Sequence, residues 1–288
     1  MSRLAWNKKT AEQEIINGLA LMQAGKVTVK DSLIINNQLV NATRPTIVVC
    51  SPIGCTPMVG GYVGEGLADV AVIGNEKCSP GPTSILEAIA IADRGQGVLL
   101  FLLGDAGTML THNIIGKQID AAGIKVLCQI LPDADVKGSF ELLPVLKLAG
   151  AAATQGKALE EVAEIAGTCL DNAAIIDCME DSLQEDPDAE AIAEKLIELA
   201  NKRFQLGEGD SVLLLLNGND NATVKEQLAI YGNCYNVLTT AGVKVWPAGV
   251  GNFVCGKENL FAQLYLVRMQ PEWEELWNMS CSSAFFTR

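Results

Sequence analysis

Apolar positions along the chain follow two spacings, and the two alternate. An opening helix is predicted with a capping box at Thr10 and Gln13, and with Ile15, Ile16, Leu19 and Met22 on one stripe. Short apolar runs then occupy residues 33–35, 46–50, 70–73, 98–103, 124–130 and 173–176. Several are apolar at every position, the pattern of strands covered by helices on both faces. Helical periodicity fills 83–94, 108–122 and 158–170, and Gly95 and Gly123 stand where C-terminal caps are expected. Pro144 interrupts the apolar stretch 140–153 and predicts two short helices or a kinked one.

An acidic stretch over 180–190, EDSLQEDPDAE, reads as a solvated linker. Beyond it the pattern predicts a helix at 189–204, a strand at 212–216, a helix at 223–240, and strands at 243–247 and 260–268. The fold class is therefore α/β, as two α/β domains with mixed sheets flanked by helices. The expected division is 1–180, carrying the candidate ligand loops, and a smaller domain over 181–288.

Composition narrows the function. Hydrophobic residues make up 49% of the 288 and charged residues 19%, which suits a packed core and not a disordered chain. No apolar run has the length of a membrane span, and the opening MSRLAWNKKTAEQE has no apolar export core, so the expected location is the cytoplasm. Nine cysteines without a C-x-x-C pair fit reduced thiols better than a disulfide framework, and with a single histidine they predict no metal site. A net charge of −13 disfavours nucleic acid and anionic membrane surfaces as partners.

Two loops are candidates for chemistry, because ligands in open α/β sheets collect beyond the carboxyl ends of strands. The first is Ser51-Pro-Ile-Gly-Cys-Thr-Pro57, followed by the glycine-rich Gly60-Gly-Tyr-Val-Gly-Glu-Gly66, where backbone amides could come close to a small polar ligand. Gly54, Cys55 and Thr56 are its candidate binding residues. Cys55 could also act as a nucleophile, but no lysine or arginine is near it in sequence, so a packed, inert thiol is the safer reading. The second loop, Gly104-Asp-Ala-Gly-Thr108, offers Asp105 as a base or a helix cap, and Thr108 with the same ambiguity. His112 falls one turn into the following helix. With no G-x-x-x-x-G-K-[ST] and no G-x-G-x-x-G after a strand, no nucleotide cofactor is expected on this chain.

Residues 57–66, PMVGGYVGEG, resemble the P-M-x-x-G-Y-x-G-x-G of the dihydroxyacetone-binding (DhaK) subunits of dihydroxyacetone kinases. Residues 78–82 with the helix through Ala92, GQGVLLF at 95–101, and 123–126 are similar to that family's following segments. Residues 212–218 with Ala222 and Thr223, then 243–251 and 253–255, resemble its later ones. The resemblance implies two α/β domains, a homodimer, and a small hydroxyketone bound at one domain's loop edge. It implies a separate DhaL-like subunit that carries the nucleotide, or a phosphotransferase relay that recharges it. It also implies a strongly remodelled site. Cys55 stands where the family's G-x-G-H-E-P has histidine. Leu103 and Thr108 stand where K-N-Y-x-G-D has its lysine and its basic aspartate, which leaves Asp105 as the local base. The segment G-[IV]-H-G-E-P, whose histidine captures the substrate, is missing after Asp177. A non-catalytic paralogue serving as ligand sensor or regulatory partner is the alternative the same departures allow.

Overall fold

In the computed structural model, which describes residues 10–52, 59–75, 79–104, 106–132, 141–183, 188–218, 221–253 and 259–288, the apolar runs pair into two separate sheets. Among the described residues the first sheet takes β1 (Val27–Lys30), β2 (Leu33–Asn36), β3 (Thr46–Ser51), β4 (Val70–Ile73), β5 (Val98–Gly104) and β6 (Val126–Pro132). Their order is β1-β2-β4-β3-β5-β6. β4, β3, β5 and β6 are parallel, and β1 and β2 add an antiparallel hairpin at one edge. Every residue of β3 and β4 is buried, as their unbroken apolar runs require.

Four helices belong to this part of the chain: α1 (Ala11–Met22) before the first strand, and α2 (Pro82–Ala92), α3 (Ala106–Ala122) and α4 (Leu142–Thr154) after β4, β5 and β6. α2 lays Ile85 and Ile89 on a core that contains Val48, Val70 and Leu100, and α3 adds Ile115. Gly123 closes α3 at φ +69, a conformation that glycine adopts without penalty. Two local expectations fail. Thr10, at φ −122 and ψ −17 and so outside the extended region a cap residue adopts, makes no side-chain cap bond, the Gln13 amide donates to Asn17 Oδ1 at 3.1 Å, and Met22 is exposed. Pro144 does not split α4: it sits in the first helical turn, where a missing N–H breaks no bond.

The second sheet contains β7 (Ala173–Met179), β8 (Ser211–Gly218), β9 (Lys244–Gly251) and β10 (Leu260–Arg268), in the order β7-β10-β8-β9. α5 (Leu159–Asp171) precedes it, and α6 (Ala189–Phe204) and α7 (Val224–Thr240) cover a core containing Ile192, Leu196, Ile230, Leu214 and Leu264. α8 (Trp273–Asn278) was not foreseen. The compact units are Met1–Ala134 with Leu146–Ala166 and Leu276–Arg288, and Asp135–Val145 with Gly167–Glu275. This differs from a single cut at residue 180 for two reasons. β7 lies before that cut yet pairs with β10. The last residues return to the first unit, where Ser282 N–H donates to Glu65 O at 3.0 Å and Phe285 N–H to Gly61 O at 3.2 Å. No helix among the described residues is long and apolar enough to cross a membrane.

Two positions in α4 carry predictions. A Cβ on Gly150 would stand 2.3 Å from the carbonyl oxygen of Gly66, which is backbone and cannot swing aside. Gly150→Ala is therefore expected to destabilise the protein by about 1–3 kcal/mol, against the gain of about 1 kcal/mol that the swap gives in an open helix; urea unfolding decides the sign. Lys147 is fully buried and its ammonium donates to Leu276 O at 2.8 Å. Burial pushes its pKa down to about 8; Cys281 opposes this and Arg288 adds to it. A base depressed by folding holds fewer protons in the native than in the unfolded state between about pH 8 and 10.5, so its contribution to stability rises with pH across that window. Relative to Lys147→Met, the native protein is expected to gain roughly 2–3 kcal/mol between pH 7 and 10.5. Unfolding curves of both proteins at the two pH values check it, since pH effects common to both cancel.

Candidate functional site

Strand order locates the site. From β3 the chain moves to β4 on one side, whereas from β5 it moves to β6 on the other. β3 and β5 are neighbours, with Cys50 opposite Leu102, so the crossover directions diverge between their carboxyl ends. That divergence opens a crevice in a doubly wound sheet, and ligands bind there. β3 and β5 end on its two sides.

Gly54, Cys55, Thr56 and Asp105 lie outside the described residues. Thr108 is in the first turn of α3, which begins immediately after position 105 and turns its positive end toward the same sheet edge. His112 is one turn further along, half-buried. The strand ends around the crevice are fixed to each other. Gly74 N–H donates to Ser51 O at 2.8 Å, which joins the end of β4 to the end of β3. The Ser79 hydroxyl donates to Leu103 O at 2.8 Å, which ties the approach to α2 to the end of β5. Ser51 is fully buried and its hydroxyl donates to Pro52 O at 3.0 Å.

Burial disfavours the thiolate form of the thiols behind this edge. Burial pushes the Cys50 thiol well up, with Cys128 adding to it, and burial lifts Cys128 on β6 to about 12. Among the described residues no cluster of three or more histidine, cysteine or acidic side chains is placed to hold a metal ion.

The glycine-rich stretch turns out to serve packing, not ligand approach. A Cβ on Gly61 would stand 1.9 Å from the Phe285 ring, one on Gly64 2.1 Å from Ser282 O, and one on Gly60 2.5 Å from Ile34 Cδ1. The chain's own final residues occupy the space that Gly61 and Gly64 leave open, and Ile34 occupies that of Gly60. The second unit has a comparable feature that sequence reasoning missed. After β8, Asn217 Oδ1 accepts from Phe253 N–H at 2.7 Å, and the Gln227 amide donates to Ala222 O and Asn252 Oδ1, both at 2.9 Å. A Cβ on Gly218 would stand 2.0 Å from Gln227 Nε2. Thr223 and Glu226 form a capping box for α7. The spacing Thr223-x-x-Glu226 is the signal that could have found it.

These features define a two-unit α/β protein whose first sheet has a topological switch point between β3 and β5. The chain belongs to the Dak1 domain family, whose model matches residues 17–178. It is 24% identical over 329 aligned positions to the dihydroxyacetone-binding subunit DhaK of PTS-dependent dihydroxyacetone kinase 2 of Listeria innocua, covering 99% of both chains. It is 22% identical to the L-erythrulose 1-kinase of Mycolicibacterium smegmatis, covering 96% of this chain and 56% of that one. A solved structure concerned with regulation of the dha operon of Lactococcus lactis shares the fold with a TM-score of 0.84 at 20% identity, over 95% of each chain.

Proposed function

We propose that this chain is the substrate-holding subunit of a dihydroxyacetone kinase-type system. It takes dihydroxyacetone or a related small hydroxyketone into the crevice between β3 and β5. A separate DhaL-like subunit brings the nucleotide, and this chain works as a homodimer. The observation that carries the reading is the match to a DhaK subunit from one end of both chains to the other. The strand order supports it, because β3 and β5, the strands that these residues follow in sequence, are neighbours at the switch point.

In the proposed reaction the substrate hydroxyl gives its proton to Asp105 while its oxygen forms a bond to the terminal phosphorus of the nucleotide. The bond from that phosphorus to the bridging oxygen breaks, and the nucleoside diphosphate leaves. The positive end of α3 favours the charge gathered on the transferring group. Gly54, Thr56 and Thr108 hold the ketose, and Cys55 packs against it. Covalent capture is not part of the scheme, because the segment bearing the capturing histidine is missing.

A second reading is a non-catalytic relative that senses the ketose and docks on a regulatory partner. Changes at three separate family segments favour it. The two readings part in one assay. The purified chain is mixed with a DhaL-like subunit and ATP, and dihydroxyacetone and L-erythrulose are offered. ATP-dependent formation of a ketose phosphate is expected. No turnover, where a DhaK subunit works with the same partner, would overturn the kinase reading and leave the regulatory one.

A further inference from the structure

The first unit has a pocket of about 250 Å³ where α1 ends, which the kinase reading does not use. The turn behind α1 leads into the edge strand β1, and β2 and β4 separate β1 from the strands of the switch point. Leu21, Met22, Gln23, Ala24 and Lys26 line the pocket on one side, and Ser283 lines it on the other. All six lie in the first unit, and their sequence neighbours are among the described residues.

Its chemistry comes from Gln23, the helix end and Lys26. Gln23 is only 4% exposed, and its Nε2 donates to Gly60 O at 3.5 Å. A carbonyl can only accept, so this contact fixes which end of the carboxamide is nitrogen. The other end, Oε1, is buried and has no hydrogen-bond partner among the described residues. Buried acceptors are rarely left in that state, and an N–H or O–H from a ligand would complete this one. Gln23 is also the C-terminal cap of α1, where the partial negative charge of the helix favours a cation. Lys26 supplies the opposite sign. It is exposed, its ammonium donates to Ser282 Oγ at 3.4 Å, and it forms no ion pair with a described residue. Glu65 stands opposite Ser282 in a backbone bridge but does not line the pocket. The Ser283 hydroxyl is engaged by Phe286, donating to its O at 3.1 Å and accepting from its N–H at 3.2 Å, so it acts as wall. Leu21 and Met22, large apolar side chains on the lining, are exposed.

A donor wanted at Gln23 beside the negative helix end, and an anion wanted at Lys26, are together the two ends of an amino-acid zwitterion. We propose that this pocket binds a free α-amino acid with an aliphatic side chain. The ammonium donates to Gln23 Oε1, the carboxylate accepts from Lys26, and the side chain lies against Leu21 and Met22. The volume is below the range of about 300–1,000 Å³ typical of drug-sized ligands, as a molecule this small requires. The proposal does not depend on the kinase reading. The test uses the full chain labelled at methionine methyl carbons, with the Met22 signal assigned by Met22→Leu. It is titrated with L-leucine, with 4-methylpentanoate, which lacks the amine, and with 3-methylbutylamine, which lacks the carboxylate. Leucine is expected to shift the Met22 signal and to bind about tenfold more tightly than either half. Gln23→Leu is expected to weaken leucine and the amine about tenfold and to leave 4-methylpentanoate unchanged. Lys26→Glu, at an exposed position that keeps the fold, is expected to weaken leucine about tenfold or more and to strengthen the amine. The second variant carries the test if the first does not fold. Leucine binding no tighter than its halves, leucine binding unaffected by Lys26→Glu, or a Met22 signal that none of the three moves would each overturn the proposal.

Discussion

Asp105→Ala is expected to lower ketose phosphorylation by about 10²–10⁴-fold. The segments that follow β3 and β5 in sequence, residues 52–58 and position 105, contain one carboxylate between them, and it is Asp105. An aliphatic hydroxyl must lose its proton as its oxygen attacks phosphorus, and a positioned carboxylate is the group available to accept it. Asp105→Asn should fall as far as alanine, because the amide keeps the shape and loses the basicity. Thr108→Ala and Cys55→Ser remove at most contacts to the ketose, and their losses should appear mainly in KM. Initial rates at saturating DhaL-like subunit and ATP separate the cases. A variant that retains full kcat with alanine at 105 would make that aspartate a helix cap and place the base elsewhere.

What the sequence reveals here is local, and what it conceals is long-range. The strands at 46–50, 70–73 and 98–103 are legible because three neighbours in a parallel sheet must be apolar on both faces. β1 is not, since four residues of alternating burial give too short a signal. The acidic run 180–190 has the composition of a linker. It nevertheless holds a turn at Glu180–Ser182 and the cap of α6 at Asp188, both inside one compact unit. Only the pairing of β7 with β10, Gln263 against Asp177 among its positions, shows that β7 belongs to the second sheet, and no window of the chain contains both strands. The glycines of 60–66 teach the same lesson. Sequence marks that a Cβ is absent, but not that Phe285 and Ser282 fill the gap. For the candidate site, the two loops could be read from strand ends alone. That the strands they follow are neighbours required the strand order.

A pairing of that concealed kind carries the largest effect expected on stability. Arg44 grips Asp69 with both nitrogens of its guanidinium, Nη1 to Oδ2 at 2.9 Å and Nη2 to Oδ1 at 2.8 Å. Nη1 also donates to Pro45 O at 3.0 Å. Oδ2 of Asp69 accepts Ile47 N–H at 2.9 Å as well, and Asp69 N–H donates to Ile47 O at 2.9 Å. The side chain of Asp69 is 1% exposed and that of Arg44 19%. The carboxylate thus binds the residue before β4 to the start of β3, and its buried charge is supported by the Arg44 guanidinium. Arg44→Ala strands that charge and is expected to cost about 3–5 kcal/mol. Arg44→Lys should fall between, because an ammonium cannot make the two-pronged contact. Asp69→Asn in the Arg44→Ala background should recover part of the loss, since asparagine still offers Ile47 N–H an acceptor without a charge to bury. Urea unfolding at constant m-value measures all three. If Arg44→Ala lost no more than an exposed pair does, about 1 kcal/mol or less, water would have to reach Asp69 and the burial seen here would not hold in solution. A loss of the expected size, partly restored by the neutral partner, would show that the penalty comes from the unpaired charge and not from the missing arginine stem.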